Sequence, residues 1–208
     1  MRTSTAVIAA SLALAGTASA GTKFTSTWAN PEATAVSLWG KKVVALVISK
    51  DEATRRGSED ELARDLNRRG GHGVSAYSLL PPTGGAAPDR EVAKAAFDKA
   101  GAAAVAVLRV LGSQQEFTSS GGGWYATPTY GSFWGGYWST GWSAAYTSGQ
   151  TTTETVVSIE TLVYSLEQDK LLWAGRSETK NPKRVDSIIK DLANKAAKEM
   201  KKAAKIQH

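Results

Sequence analysis

The order of elements in the sequence predicts an α/β domain of the α+β kind. It should hold a mixed β-sheet, about three helices and a long aromatic loop between two long antiparallel strands. Three observations carry this. Residues 43–49, VVALVIS, form an almost unbroken apolar run rich in β-branched side chains, as a strand covered on both faces does. From there to residue 117, extended and helical patterns alternate, which implies right-handed crossovers onto one sheet. Residues 152–166 and 171–179 then flank a short turn at Gln168-Asp169, the pattern of an antiparallel hairpin.

Taken in order, residues 1–20 read as a removable signal peptide. Arg2 supplies the basic start, residues 6–15 an uncharged apolar run, and Ala18-Ser19-Ala20 the small residues before cleavage at Gly21. The run falls short of the roughly 20 apolar residues that span a bilayer, so no transmembrane segment is expected. No cysteine follows the cleavage site, which argues against a lipoprotein. The expected location is periplasmic or secreted.

Residues 21–208 are then expected to make one domain. Residues 23–29 read as a short strand closed by Asn30-Pro31. Ser58 and Glu61 form a capping box for a helix buried through Leu62 and Leu66, which Gly70 and Gly71 end. A second strand over 74–80 stops at Pro81-Pro82. Asp89 caps a helix with Val92, Ala96, Phe97 and Ala100 on one side, and Gly101 closes it. A long strand follows over 103–117. After the hairpin, Val185, Ile188, Ile189, Leu192, Ala196 and Met200 repeat at helical spacing, with lysines gathered toward the C-terminal end, where the helix dipole favours them. Arg109 and Glu160 each interrupt an apolar strand. Pairing those strands about their middles sets the two opposite one another as a structural ion pair.

The composition removes several chemistries. The 208 residues hold no cysteine and two histidines, His72 and His208, so thiol nucleophiles and thiolate or imidazole metal sites lose their ligands. His72 reads as a turn residue among glycines that open no phosphate-binding helix, and no G-x-S-x-G elbow occurs. Asp51 and Glu52 are the one carboxylate pair at a strand end, where a helix or turn surface explains them. A non-enzymatic chain with no cofactor and no metal is expected. The net charge of +6 reflects solvating lysines rather than a nucleic-acid interface, for which no motif exists.

Between Glu116 and Glu154 there is no charged residue, and four of the seven tryptophans lie there. We read residues 118–151 as a Gly/Trp/Tyr-rich loop. Its rings could cover a face of the sheet, meet a partner, or serve self-association or a membrane interface. The partner reading selects Trp124, Tyr130, Trp134, Tyr137, Trp138 and Trp142 as the binding residues, with Trp134, Trp138 and Trp142 the strongest anchors.

Five segments together resemble a family of uncharacterised exported proteins and lipoproteins of Gram-negative bacteria. They are TSTWANPEA, VVALVIS with Arg55-Arg56 and SEDELARDL, GGHGVSAYSLLP, the aromatic stretch, and TLVYSLEQDKLLWAGRSET. The layout is similar to that of the curli secretion lipoprotein, the N-terminal domain of the Tol-system periplasmic protein, and lipoprotein activators of peptidoglycan synthases. That resemblance implies a mixed sheet with helices and a role in envelope assembly or protein contact; it does not imply an enzyme. Ala20-Gly21 stand where many members carry a lipobox cysteine.

The expectation is therefore an envelope-associated domain that binds an envelope protein or a peptidoglycan-like glycan through the aromatic loop. The alternatives are a carbohydrate-active enzyme and a self-associating structural protein of the envelope.

Overall fold

The computed structural model describes residues 21–82, 86–111, 126–147, 156–180, 184–203 and 205–207. The expected signal peptide lies outside them. The chain runs β1 (Thr22–Ala29), β2 (Val36–Ser37), β3 (Lys42–Ile48), α1 (Glu52–Arg68), β4 (His72–Ser75), α2 (Ala76–Leu79), α3 (Arg90–Ala100) and β5 (Ala102–Leu111). It continues through α4 (Pro128–Gly131), a π-helical segment (Phe133–Tyr137), α5 (Trp138–Thr147), β6 (Val156–Ser165), β7 (Lys170–Lys180), α6 (Val185–Lys202) and β8 (Ile206–Gln207).

Six strands form one mixed sheet in the order β1-β7-β6-β5-β3-β4, and β2 pairs with β8 beside it. β3 pairs in parallel with both β4 and β5, as the alternating pattern requires. The β5–β6 and β6–β7 pairs are antiparallel, and the turn residue Asp169 takes a positive φ of 44°. The α+β class with a mixed sheet is what the chain adopts. Helices are more numerous than the sequence suggested, because residues 128–147 are helical.

The sheet is covered on both sides. On one face, Leu62 and Ala63 of α1 and Ile188, Ile189 and Leu192 of α6 pack on Val43, Ala45, Val47, Ala104, Ala106 and Leu108. On the other, α3 and the aromatic helices pack on Val44, Leu46, Ile48, Val105, Val107, Leu162 and Tyr164. β3 is thus buried on both faces, which explains why VVALVIS lacks alternation.

Three local expectations need correction. The helix expected from Ser58 begins seven residues earlier, where Asp51 accepts the Thr54 N–H at 2.7 Å; Ser58 and Glu59 are buried within it. Asp51 is therefore a helix cap, and Glu52 pairs with Arg56 across one turn. The strand expected over 74–80 ends at Ser75, and the chain turns into α2. In α3, Asp89 and Gly101 bound the helix as expected, but Ala93 and Phe97 face the core while Val92 is exposed.

Ser75 ends β4 early, so the Val47 N–H on β3 has no strand neighbour at that level. Glu59 of α1 fills the gap. Its carboxylate is fully buried and accepts the Val47 N–H at 3.2 Å and the Tyr77 N–H at 2.7 Å, with an Arg55 guanidinium nitrogen 3.7 Å away. Burial raises its pKa to about 7, against the two backbone donors and Arg55. The native state then keeps this proton between 4.5 and about 7, while the unfolded chain releases it. Glu59 therefore stabilises the fold fully below 4.5, and that contribution is lost as pH rises through 7. Urea unfolding across this window should show wild-type stability falling by on the order of 3 kcal/mol relative to Glu59→Gln. A constant difference between the two proteins would refute this account.

Candidate functional site

The sequence selects the aromatic residues as the candidate contact surface. Tyr130 lies on α4, Trp134 and Tyr137 on the π-helical segment, and Trp138 and Trp142 on α5. All five are buried, Trp138 to 3% exposure. They belong to the core cluster of this sheet face, with Phe133, Phe97 and Tyr164. Trp124 lies outside the described residues. A partner cannot reach the five buried rings without opening the fold, so their expected role as a contact surface is corrected to that of a core layer.

The rings interlock. Phe133 packs on Trp134 at 4.7 Å and on Tyr164 at 5.1 Å between centroids, and Trp134 on Trp138 at 5.4 Å. Trp142 continues the series against Trp138 at 6.2 Å. The glycines among them are points of close approach. A Cβ on Gly136 would lie 2.6 Å from the Thr129 carbonyl oxygen, and one on Gly141 would lie 2.8 Å from the Ile48 side chain. The Asp169 carboxylate holds the start of the segment. It accepts the Ser132 hydroxyl at 2.5 Å and the Phe133 and Trp134 N–H groups at 3.0 and 3.2 Å.

A helical signal was present in the sequence. Tyr130, Trp134, Trp138, Trp142 and Tyr146 recur every four residues, the spacing of one helix stripe. Glycine, serine and threonine between them are weak helix formers, which masked it.

Beneath the rings, Arg109 and Glu160 stand directly opposite one another in the β5–β6 register, as the sequence predicts. The guanidinium donates to one Glu160 oxygen at 2.8 and 2.9 Å, and the Tyr137 hydroxyl donates to the same oxygen at 3.1 Å. The Arg109 guanidinium also donates to the Tyr130 hydroxyl at 3.3 Å. Burial raises the Glu160 pKa, opposed by Arg109 and Tyr137. Both charges are enclosed, and the arrangement serves as an internal ion pair.

The opposite face carries a feature the sequence does not announce. Between α1 and α6, over the sheet, lies a cavity of about 340 Å³. Ala106 and Leu108 of β5 and Thr161 and Val163 of β6 lie beneath it, each with a few per cent of its surface exposed. Leu62 and Leu66 of α1 face Ile189 and Ala193 of α6 across it. Arg69 ties the two helices at one end, donating to Asp65 at 2.5 Å and to Asn194 at 2.6 Å. Trp39 lines the same cavity, yet 63% of it is exposed, the highest value among the large exposed apolar residues described. Its indole lies against the backbone of Gly70, whose φ of +85° and lack of a side chain give the ring its place.

The site is assembled from residues far apart in the chain, and no local motif marks it. Asp51, Glu52 and His72 do not line it. Among the described residues no group of three or more His, Cys, Asp or Glu side chains is placed to hold a metal, and no helix is long and apolar enough to cross a membrane.

No family model matches the sequence, and no curated protein matches it. Among solved structures the chain is similar to the PelC dodecamer from Paraburkholderia phytofirmans. That comparison has 11% identity and a TM-score of 0.43, covering 90% of this chain and 99% of that one. A dodecameric point variant of the same PelC gives 12% identity and a TM-score of 0.43, over 84% and 93%.

Proposed function

We propose that this chain is a non-enzymatic binding domain, acting after export at the cell envelope, whose site is the groove between α1 and α6. The observation that supports this reading is the apolar cavity itself. Its volume falls in the range of small-molecule sites, and its floor and walls are predominantly apolar. Well-packed interiors leave few voids much larger than a water molecule, so an apolar opening of this size between two helices offers contacts that a ligand can make. The polar side chains at the groove, among them Asp65, Arg69 and Thr161, pair no nucleophile with a base, in keeping with binding without turnover.

The test uses N-phenyl-1-naphthylamine, an uncharged apolar probe, with wild type and Ala197→Phe. Ala197 lines the groove, and a phenyl ring there would take up part of its space. Wild type should give saturable one-to-one fluorescence enhancement, reduced at least about ten-fold in affinity in the variant, whose thermal stability should hold or rise. Absence of saturable binding, or equal binding by a folded variant, would overturn the proposal.

A further inference from the structure

Among the charged residues that line the groove, two lysines stand apart. Lys198 and Lys201 of α6 line it and are exposed, and among the described residues no ion pair is recorded for either. Their neighbours differ. Lys195 pairs with Asp191 at 3.2 Å and Lys202 with Glu199 at 2.7 Å. The carboxylate at the groove, Asp65, is already held by Arg68 at 3.0 Å and Arg69 at 2.5 Å. Two cations are thus left over at the rim of an apolar cavity.

The C-terminal end of a helix attracts lysines by itself. That effect does not select the cavity side of α6, where Lys198 and Lys201 stand three residues apart on the same face. Trp39 adds a second feature at the same mouth. An exposed indole joins an apolar body to a polar N–H, a combination suited to the boundary between a buried chain and a solvated head.

We infer that the ligand is a single-chain amphiphile with an anionic head. Its alkyl chain enters between α1 and α6, its head meets Lys198 and Lys201, and Trp39 covers the junction. This rests on the proposed function and adds the chemical class of the ligand. A carboxylate and a phosphate monoester share the required chemistry. The occupant is a monomeric molecule in the groove rather than a membrane against the helix.

Titration calorimetry below micelle-forming concentrations would compare dodecanoate, dodecyl phosphate, dodecanol and dodecyltrimethylammonium, with vesicles of phosphatidylglycerol as a further arm. Both anions should bind about ten-fold more tightly than dodecanol, and the cation more weakly than it. In the double variant K198E/K201E this preference, measured against dodecanol on the same variant, should vanish or reverse. Added salt should weaken the anions alone. Equal binding of anionic and neutral chains would overturn the inference while leaving the groove as a binding site. So would a preference that survives charge reversal, or binding to vesicles with no binding of any monomer. Failure of every chain and of the naphthylamine probe would remove the proposed function as well.

Discussion

Replacing Trp134, Trp138 and Trp142 together by alanine is expected to abolish cooperative folding. Each ring is nearly fully buried in one cluster over the sheet, and truncating a buried tryptophan costs about 3–5 kcal/mol. A domain of this kind has only about 5–15 kcal/mol to lose. Trp138 illustrates the cost. Its ring packs on Phe97, Phe133, Trp134 and Trp142, and its indole N–H donates to the Pro88 carbonyl at 3.2 Å. Trp138→Ala alone should lower the urea-unfolding free energy by about 3–5 kcal/mol, with most of the loss in midpoint rather than slope. The three effects are not additive, because the rings touch one another. A triple variant that melts within a few degrees of wild type would show that these helices do not hold the fold together.

The second large effect lies one layer below. Arg109→Met should destabilise the protein by about 3–5 kcal/mol, because it leaves the Glu160 carboxylate buried without its cation. The double variant Arg109→Met/Glu160→Leu should recover most of that loss, since two apolar side chains replace two enclosed charges. Recovery stays incomplete. The Tyr137 hydroxyl loses the oxygen it donates to, and an unsatisfied buried hydroxyl costs about 1–3 kcal/mol. Equilibrium unfolding of the three proteins decides the matter. A double variant no more stable than the single one would mean that the pair's hydrogen bonds, rather than its charges, hold this layer in place.

Much of the fold could be read from the residues themselves. Residues 43–49 identify the central strand because a run without alternation needs cover on both sides. Arg109 and Glu160 mark the β5–β6 register, since a charge in an apolar strand must find its complement. Ser58 to Glu61 has the form of a capping box, but the helix starts earlier, where Asp51 accepts the Thr54 N–H and where the added turns bury Arg55 and Ser58. In the aromatic stretch, glycine content outweighed a four-residue ring spacing. Tertiary packing then overrode poor helix propensity.

The candidate site was hidden for a different reason. Leu62 and Leu66 lie more than 120 positions before Ile189 and Ala193, and what makes the groove is the gap between two helices that each look ordinary. Side-chain identity predicts which face of a helix is buried. How far two helices stand apart depends on what lies between and beneath them, including the small residues Ala106 and Ala193.

The carboxylate of Asp169 bears on how the molecule tolerates being altered. Hairpin tips are ordinarily where a chain accepts insertions, epitope tags or circular permutation. Here the tip between β6 and β7 is the latch on which Ser132, Phe133 and Trp134 all fasten. A graft at that bend would unfasten the roof from the far side of the molecule, so reporters belong elsewhere on its surface.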